Sequence, residues 1–321
     1  MTPTRLLVTG AAGFVGRHFL RAARAAYPAS HIVAAARPDD VPPAGLPGAD
    51  AVAAFDLLDP SGIAAVIAET KPDVCVHLAA WSDVAASFTA QDIVWRANVD
   101  GTRALAGAIM RSAPHCLLLS VGSADCYGLS FQADQALDET ALLRPANPYA
   151  AAKAAADICL GEMALRGLRA VRLRPVNHVG PGQSPRFAVA AFARQVARVA
   201  AGVQPQVIET GALDRWRDFV DVRDMCAAYL SVIANAGALP AGAVFNLASG
   251  AQHRLGDVLA DLLRLAGVTA RIETAEAALR PVDIVRASCS PGAARAALAW
   301  APCITWEQTL HDILAYWASA I

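Results

Sequence analysis

Short apolar runs alternate with longer, helix-like stretches over the first half of this chain. Arg5-Leu6-Leu7-Val8-Thr9 is a compact apolar run and predicts a buried strand. The stretch Gly10-Ala11-Ala12-Gly13-Phe14-Val15-Gly16 follows, then a helical segment to about Ala26. Further apolar runs predict strands from His31 to Ala36, Ala51 to Phe55, Asp73 to Ala80, His115 to Val121 and Leu168 to Leu173. Pro38 to Asp50 and Gly128 to Pro148, the latter with acids at Asp134, Asp138 and Glu139, read as loops by composition, as does Trp81 to Phe88. Helices are predicted from about Gln91 to Arg111 and from Pro148 to about 166. Regular alternation of strand and helix predicts the α/β class with a doubly wound parallel sheet.

After Arg174 the texture changes. Pro175 to Gln183 predicts a loop and Phe187 to Ala201 a helix. Trp216 to Asp224 predicts a strand leading into a helix, Ala243 to Leu247 a short strand, and the stretch after Thr305 a final helix. The division expected is a dinucleotide-binding domain over 1–175, with about 218–248 returning to it. Residues 176–217 and 249–321 then form a smaller α/β substrate-binding C-terminal domain.

Hydrophobic residues make up 55% of the 321, ample for such a body. A formal net charge of −1 gives no bulk attraction to nucleic acid or membrane. No stretch is long and apolar enough to span a bilayer, and the short apolar start lacks the features of a signal peptide. Seven cysteines form no C-x-x-C pair, so they read as buried small hydrophobes in a reducing cytoplasm rather than as disulfides or a zinc site.

The glycine stretch gains meaning from its place between strand and helix. Gly10 allows the tight turn, Gly13 close approach of backbone to a diphosphate, and Gly16 close packing of helix on strand. Phe14 and Val15 open the helix whose free N–H groups face the phosphates. The spacing is G-x-x-G-x-x-G, not the commoner G-x-G-x-x-G. The second strand ends in Ala36-Arg37 rather than in an acid, and Arg17 follows the glycine turn. Arginine there suits a 2′-phosphate, so NADP(H) is expected, with NAD(H) as the alternative. Asp56, followed by Leu57, can reach an adenine amino group or cap the next helix. The small residues of Leu78-Ala79-Ala80 let backbone lie against a cofactor.

The chemistry centres on Ser123, Tyr149 and Lys153. Tyr149 and Lys153 are four apart on a predicted helix and share a face. A neighbouring ammonium is expected to depress the phenol pKa, so that Tyr149 can exchange a proton with a substrate oxygen. Ser123, delivered by the fifth strand to the carboxyl edge of the sheet, adds a hydroxyl to the same oxygen.

With these residues in place, the chain resembles the extended short-chain dehydrogenase/reductases that act on nucleotide sugars. The likeness rests on Gly10/Gly13/Gly16, His77-x-Ala79-Ala80, Asn98, Ser123, Tyr127-Gly128, Tyr149/Lys153 and Arg174-Pro175. Within that family it is similar to the GDP-4-keto-6-deoxy-D-mannose reductases through Gly122 to Gly128, Arg174 to Gln183 and Trp216 to Asp224. The resemblance implies a Rossmann sheet and reduction at C4 of a GDP-linked 4-keto-6-deoxy hexose or heptose. It also implies cofactor contacts from Asn98 and Val176, and substrate contacts from Ser82, Ser123, Asp125, Asn177, Arg217 and Arg280. Relatives of this kind pair the helices at about 91–111 and 148–166 into a homodimer, and here those helices carry Ala104, Ala106, Gly107, Ala151, Ala155 and Ala156. His178 reads as a structural, hydrogen-bonded residue. The family's Ser-Glu-Glu becomes Ala124-Asp125-Cys126. Related 4,6-dehydratases use a Glu at the position of Asp125 as a base, and elimination also needs an acid. Ala124 supplies neither, which disfavours the alternative, a 4,6-dehydratase or epimerase.

Overall fold

The computed structural model describes residues 1–42, 44–133, 135–274 and 284–321. In chain order, β1 (Arg5–Thr9), α1 (Phe14–Ala26), β2 (His31–Ala36), β3 (Ala51–Ala54), α2 (Pro60–Thr70), β4 (Val74–His77), α3 (Gln91–Trp95), α4 (Thr102–Ser112), β5 (Leu117–Val121), α5 (Pro148–Leu165) and β6 (Ala170–Pro175) form the first half. There follow β7 (Asn177–Val179), α6 (Ala188–Ala200), β8 (Val207–Thr210), β9 (Trp216–Asp221), α7 (Val222–Asn235), β10 (Ala243–Leu247), β11 (Gln252–Arg254), α8 (Leu255–Ala266), β12 (Arg271–Thr274), β13 (Arg286–Ala287), α9 (Gly292–Leu298) and α10 (Trp306–Ser319).

Seven strands make one parallel sheet in the order β3-β2-β1-β4-β5-β6-β10. A parallel sheet must be covered on both faces. Phe19 of α1 and Tyr229 of α7 pack on one face; Ile63 of α2, Leu105 of α4 and Leu160 of α5 pack on the other. The order reverses between β1 and β4, and in such sheets ligands bind outside the carboxyl ends at that reversal. β9 pairs with β11, β13 and β7, while β8 pairs with β12. Around them Phe192 of α6, Leu259 of α8 and Ile313 of α10 build a second core.

Several boundaries differ from the sequence reading for local reasons. β4 stops at His77, not Ala80, because its neighbour β1 ends at Thr9 to enter the glycine turn. The Leu78 N–H bonds the Thr9 carbonyl, and the Ala79 N–H takes the Thr9 hydroxyl at 3.3 Å. The helix expected over Gln91 to Arg111 is interrupted by a π-helical turn at Arg96–Gly101. A Cβ on Gly101 would stand 2.7 Å from the Leu57 carbonyl, so that turn packs tightly. The expected loop from Gly128 begins inside a 3₁₀ run, Ala124–Ala133, kinked at Gly128 with φ 48°. The expected loop over Pro175 to Gln183 contains β7, which exists through its pairing with β9.

Candidate active site

A cleft of about 1340 Å³ opens over the carboxyl ends of the large sheet. That exceeds the usual range for one small ligand and has room for a dinucleotide and a second molecule. Gly10, Gly13, Phe14, Val15 and Gly16 line one part of it. Gly10 has φ 67°, and a Cβ there would stand 2.6 Å from the Ala79 backbone nitrogen, so only glycine fits. The α1 N-terminus has no side-chain cap and no acid in its first turn. Its N–H groups and dipole are left for an anion, which fits the expected diphosphate.

Leu78, Ala79, Ala80, Ser82, Asp56, Leu57 and Val176 also face this cleft, as do Asn177, Asp125 and Arg217. Arg37 lies there too, but it is engaged: Nε and a terminal nitrogen bond the two oxygens of Asp40 at 2.9 and 3.2 Å. Arg17 turns back instead and donates to the Ala12 carbonyl at 2.8 Å. Asn98 does not line the cleft. Buried in the π-turn, it accepts from the Trp81 N–H at 2.8 Å and donates to the Trp81 carbonyl at 3.0 Å, clamping the backbone that follows Ala80. It borders a cavity of about 10 Å³, the size of one water molecule, shared with His77 and Lys153. Arg280 lies outside the described residues.

The helix carrying the reactive pair is started deliberately. The Asn147 side chain accepts from the Ala150 N–H at 2.8 Å, and Pro148 takes the first helical position. Tyr149 and Lys153 then face the cleft together with Ser123. Ser123 stands near enough to the Tyr149 phenol to ease its ionisation, and its hydroxyl accepts from the Asp125 N–H at 3.1 Å.

One expectation is corrected here. The Tyr149 pKa is raised, not depressed: burial is the largest cause, the Asp125 charge adds to it, and the Ser123 side chain opposes it. Lys153 points its ammonium at the Val121 carbonyl, 3.1 Å away, and burial lowers its own pKa to about 8. The resting site therefore holds a neutral phenol, the form that can give up a proton. His77 bridges the Thr9 and Thr102 hydroxyls at 2.7 and 3.1 Å; burial, then Lys153, lowers it to about 3. His178 bonds the Val176 carbonyl at 3.0 Å, as a structural role requires, and burial lowers it to about 4. It also lines the cleft, which its sequence did not disclose.

Sequence reasoning missed other cleft residues. Trp81 and Gln183 each present a buried polar atom without a hydrogen-bond partner among the described residues, the Nε1 donor and the Oε1 acceptor. Asp40 was indistinct among the acids after Pro38, and Phe192 and Glu209 stand on elements that only the tertiary fold brings to the cleft.

The NAD dependent epimerase/dehydratase family model matches residues 6–248. A GDP-6-deoxy-D-mannose reductase of Pseudomonas aeruginosa is 34% identical over 318 residues, covering 99% of this chain and 98% of that protein. The solved structure of RMD from Pseudomonas aeruginosa complexed with NADPH superposes with a TM-score of 0.83 at 32% identity, covering 99% of this chain and all of that one. A UDP-glucose 4-epimerase of Streptomyces lividans is 29% identical, covering 93% of this chain and 91% of that protein.

Proposed function

This chain belongs to the NAD dependent epimerase/dehydratase family, and on that premise we propose that it is an NADPH-dependent reductase of the C4 keto group of a GDP-linked 4-keto-6-deoxy sugar, hexose or heptose. The full-length likeness to a GDP-6-deoxy-D-mannose reductase supports the substrate class. The observation that carries reduction over elimination is the residue after Ser123: buried Ala124 has no group to protonate a departing hydroxyl. The test is a panel of GDP-, dTDP- and UDP-linked 4-keto sugars with NADPH, read by NMR of the product. Turnover confined to dTDP- or UDP-sugars would refute the substrate class.

When bound, the dinucleotide supplies the hydride that adds to C4. The glycine turn and the α1 N-terminus would hold its diphosphate; Leu78, Ala79, Ala80 and Val176 line the same cleft and would contact the rest of it. Asp56 and Arg37 would take the adenosine end. Tyr149 gives its proton to the C4 oxygen as negative charge develops there. The Ser123 hydroxyl hydrogen-bonds that oxygen and stabilises the same charge. Lys153, one turn along the same face, opposes the cost of the phenolate left behind. Ser82, Asp125 and Asn177 orient the sugar. Arg217 and Arg280 are proposed for its diphosphate, where a planar guanidinium matches phosphate oxygens.

The Arg37–Asp40 pair makes a prediction about cofactor choice. The pair is exposed, so it contributes little and a 2′-phosphate can displace it. Wild type is expected to bind NADPH more tightly than NADH, and Arg37→Ala to erase most of that preference. Asp40→Asn frees the guanidinium and is expected to widen the preference by about two- to fivefold. Fluorescence titration of both nucleotides on the three proteins decides it. A wild type that prefers NADH would leave Arg37 as a surface residue.

The same reading includes a dinucleotide-binding unit of 1–175 with about 218–248, and a substrate unit of 176–217 and 249–321. It also includes a homodimer. On α5, Ile158 and Leu165 are 60% and 89% exposed, and Trp95 of α3 is 47% exposed. Of the small residues on these helices, Ala106 and Ala156 are buried within the chain's own core, while Ala104, Gly107, Ala151 and Ala155 stay partly exposed beside these larger residues. Light scattering at micromolar concentration is expected to return twice the chain mass of 33.3 kDa; a monomer mass would contradict the dimer. All seven thiols are unpaired and five are buried, which suits a reducing cytoplasm.

A further inference from the structure

Behind the cleft lies a buried chain of hydrogen bonds that none of these steps uses. Arg174 of β6 is 5% exposed. Its Nε and Nη2 donate to the two oxygens of Asp157 at 3.0 and 2.9 Å. Its Nη1 donates to the Tyr127 hydroxyl at 2.9 Å and to the Glu139 carbonyl at 3.1 Å. The Tyr127 hydroxyl in turn donates to Asn246 Oδ1 of β10 at 2.8 Å. Burial raises the Tyr127 pKa, so that hydroxyl keeps the proton it donates.

The ends of this chain sit on the two pieces that carry the reacting groups. Asp157 belongs to α5, in the every-fourth-residue stripe of Tyr149 and Lys153. Tyr127 belongs to the 3₁₀ run that starts immediately after Ser123 and includes Asp125. Arg174 therefore bridges the segment that follows Ser123 and the Tyr149 helix. Charge balance does not depend on it, because Arg172 also bonds Asp157, at 2.8 Å. What Arg174 adds is direction: a planar fork fixes two partners at once, which an ammonium cannot do.

We propose that Arg174 is a positioning residue whose fork to Asp157 and Tyr127 sets the approach of the Ser123 hydroxyl to the Tyr149 phenol. The proposal rests on the reading of Ser123 and Tyr149 given above. Displacing a reacting group by about 1 Å lowers rates about a hundredfold, so losing the fork is felt in turnover before it is felt in binding.

The test is a double-mutant cycle between Arg174→Lys and Ser123→Ala, read by kcat, KM and NADPH affinity. Arg174→Lys alone is expected to lower kcat about ten- to a hundredfold, with KM and NADPH affinity held within about threefold. In the Ser123→Ala background the same change is expected to lower kcat by about twofold or less, because the hydroxyl it positions is gone. An equal loss in both backgrounds, accompanied only by a lower Tm, would make Arg174 a structural residue and overturn the proposal. Should Arg174→Lys fail to fold, Tyr127→Phe runs the same cycle with every charge retained. Normal turnover by Ser123→Ala alone would overturn the reading of the site and the proposal with it, and it is recognisable because it appears before Arg174 is touched.

Discussion

Tyr149→Phe is expected to lower kcat by about a hundredfold or more, within the range for loss of a general acid, with NADPH affinity nearly unchanged. The change removes the transferable proton and keeps the ring that fills a buried position. The raised phenol pKa strengthens this expectation. The proton is present on essentially every molecule at neutral pH, so its removal is felt by the whole population. Steady-state turnover with a 4-keto sugar, together with NADPH titration, checks both halves. Near-normal turnover would remove Tyr149 from its role.

Lys153→Met is expected to cost about a hundredfold in kcat/KM, and also to change the pH profile. In wild type the Lys153 pKa is lowered to about 8, so its charge is present below that pH and lost above it. Because kcat/KM for NADPH reports the free enzyme, it is expected to fall as pH rises through about 8. His77 and His178, lowered to about 3 and about 4, stay neutral across that range, and Tyr149 stays protonated. In Lys153→Met the fall should be absent. A fall of the same size and midpoint in the variant would assign that titration elsewhere.

Local chemistry was legible where it dictates the backbone. β1, α1 and β2 coincide with the apolar runs and the glycine turn, and β10 with Ala243 to Leu247. Thr305 caps α10 by accepting from the Gln308 N–H, which is why the last helix starts where the sequence implied. The three-residue β7 was hidden because it forms only against β9, within a stretch whose prolines and glycines read as loop. α8 carried a signal that went unused: Leu255, Val258, Leu259 and Leu262 recur at helical spacing. Spacing put Tyr149 and Lys153 on one face. It could not give their pKa values, because the burial that dominates both belongs to the assembled cleft. The Arg37–Asp40 pair shows the same limit: the arginine was visible, its partner was not.

The reductase and its dehydratase rival share Ser123, Tyr149 and Lys153, so those residues cannot separate them. The difference lies at Ala124 and Asp125. Reduction needs no base at C5, so Asp125→Asn should impair it only modestly. The most direct measurement supplies purified protein separately with GDP-mannose plus NAD⁺ or NADP⁺, and with the GDP-linked 4-keto-6-deoxy sugar plus NADPH. No 4-keto product is expected from the first mixture, and one NADPH is expected to be oxidised per sugar reduced in the second. Conversion of GDP-mannose without net use of cofactor, abolished by Asp125→Asn, would contradict the reductase reading.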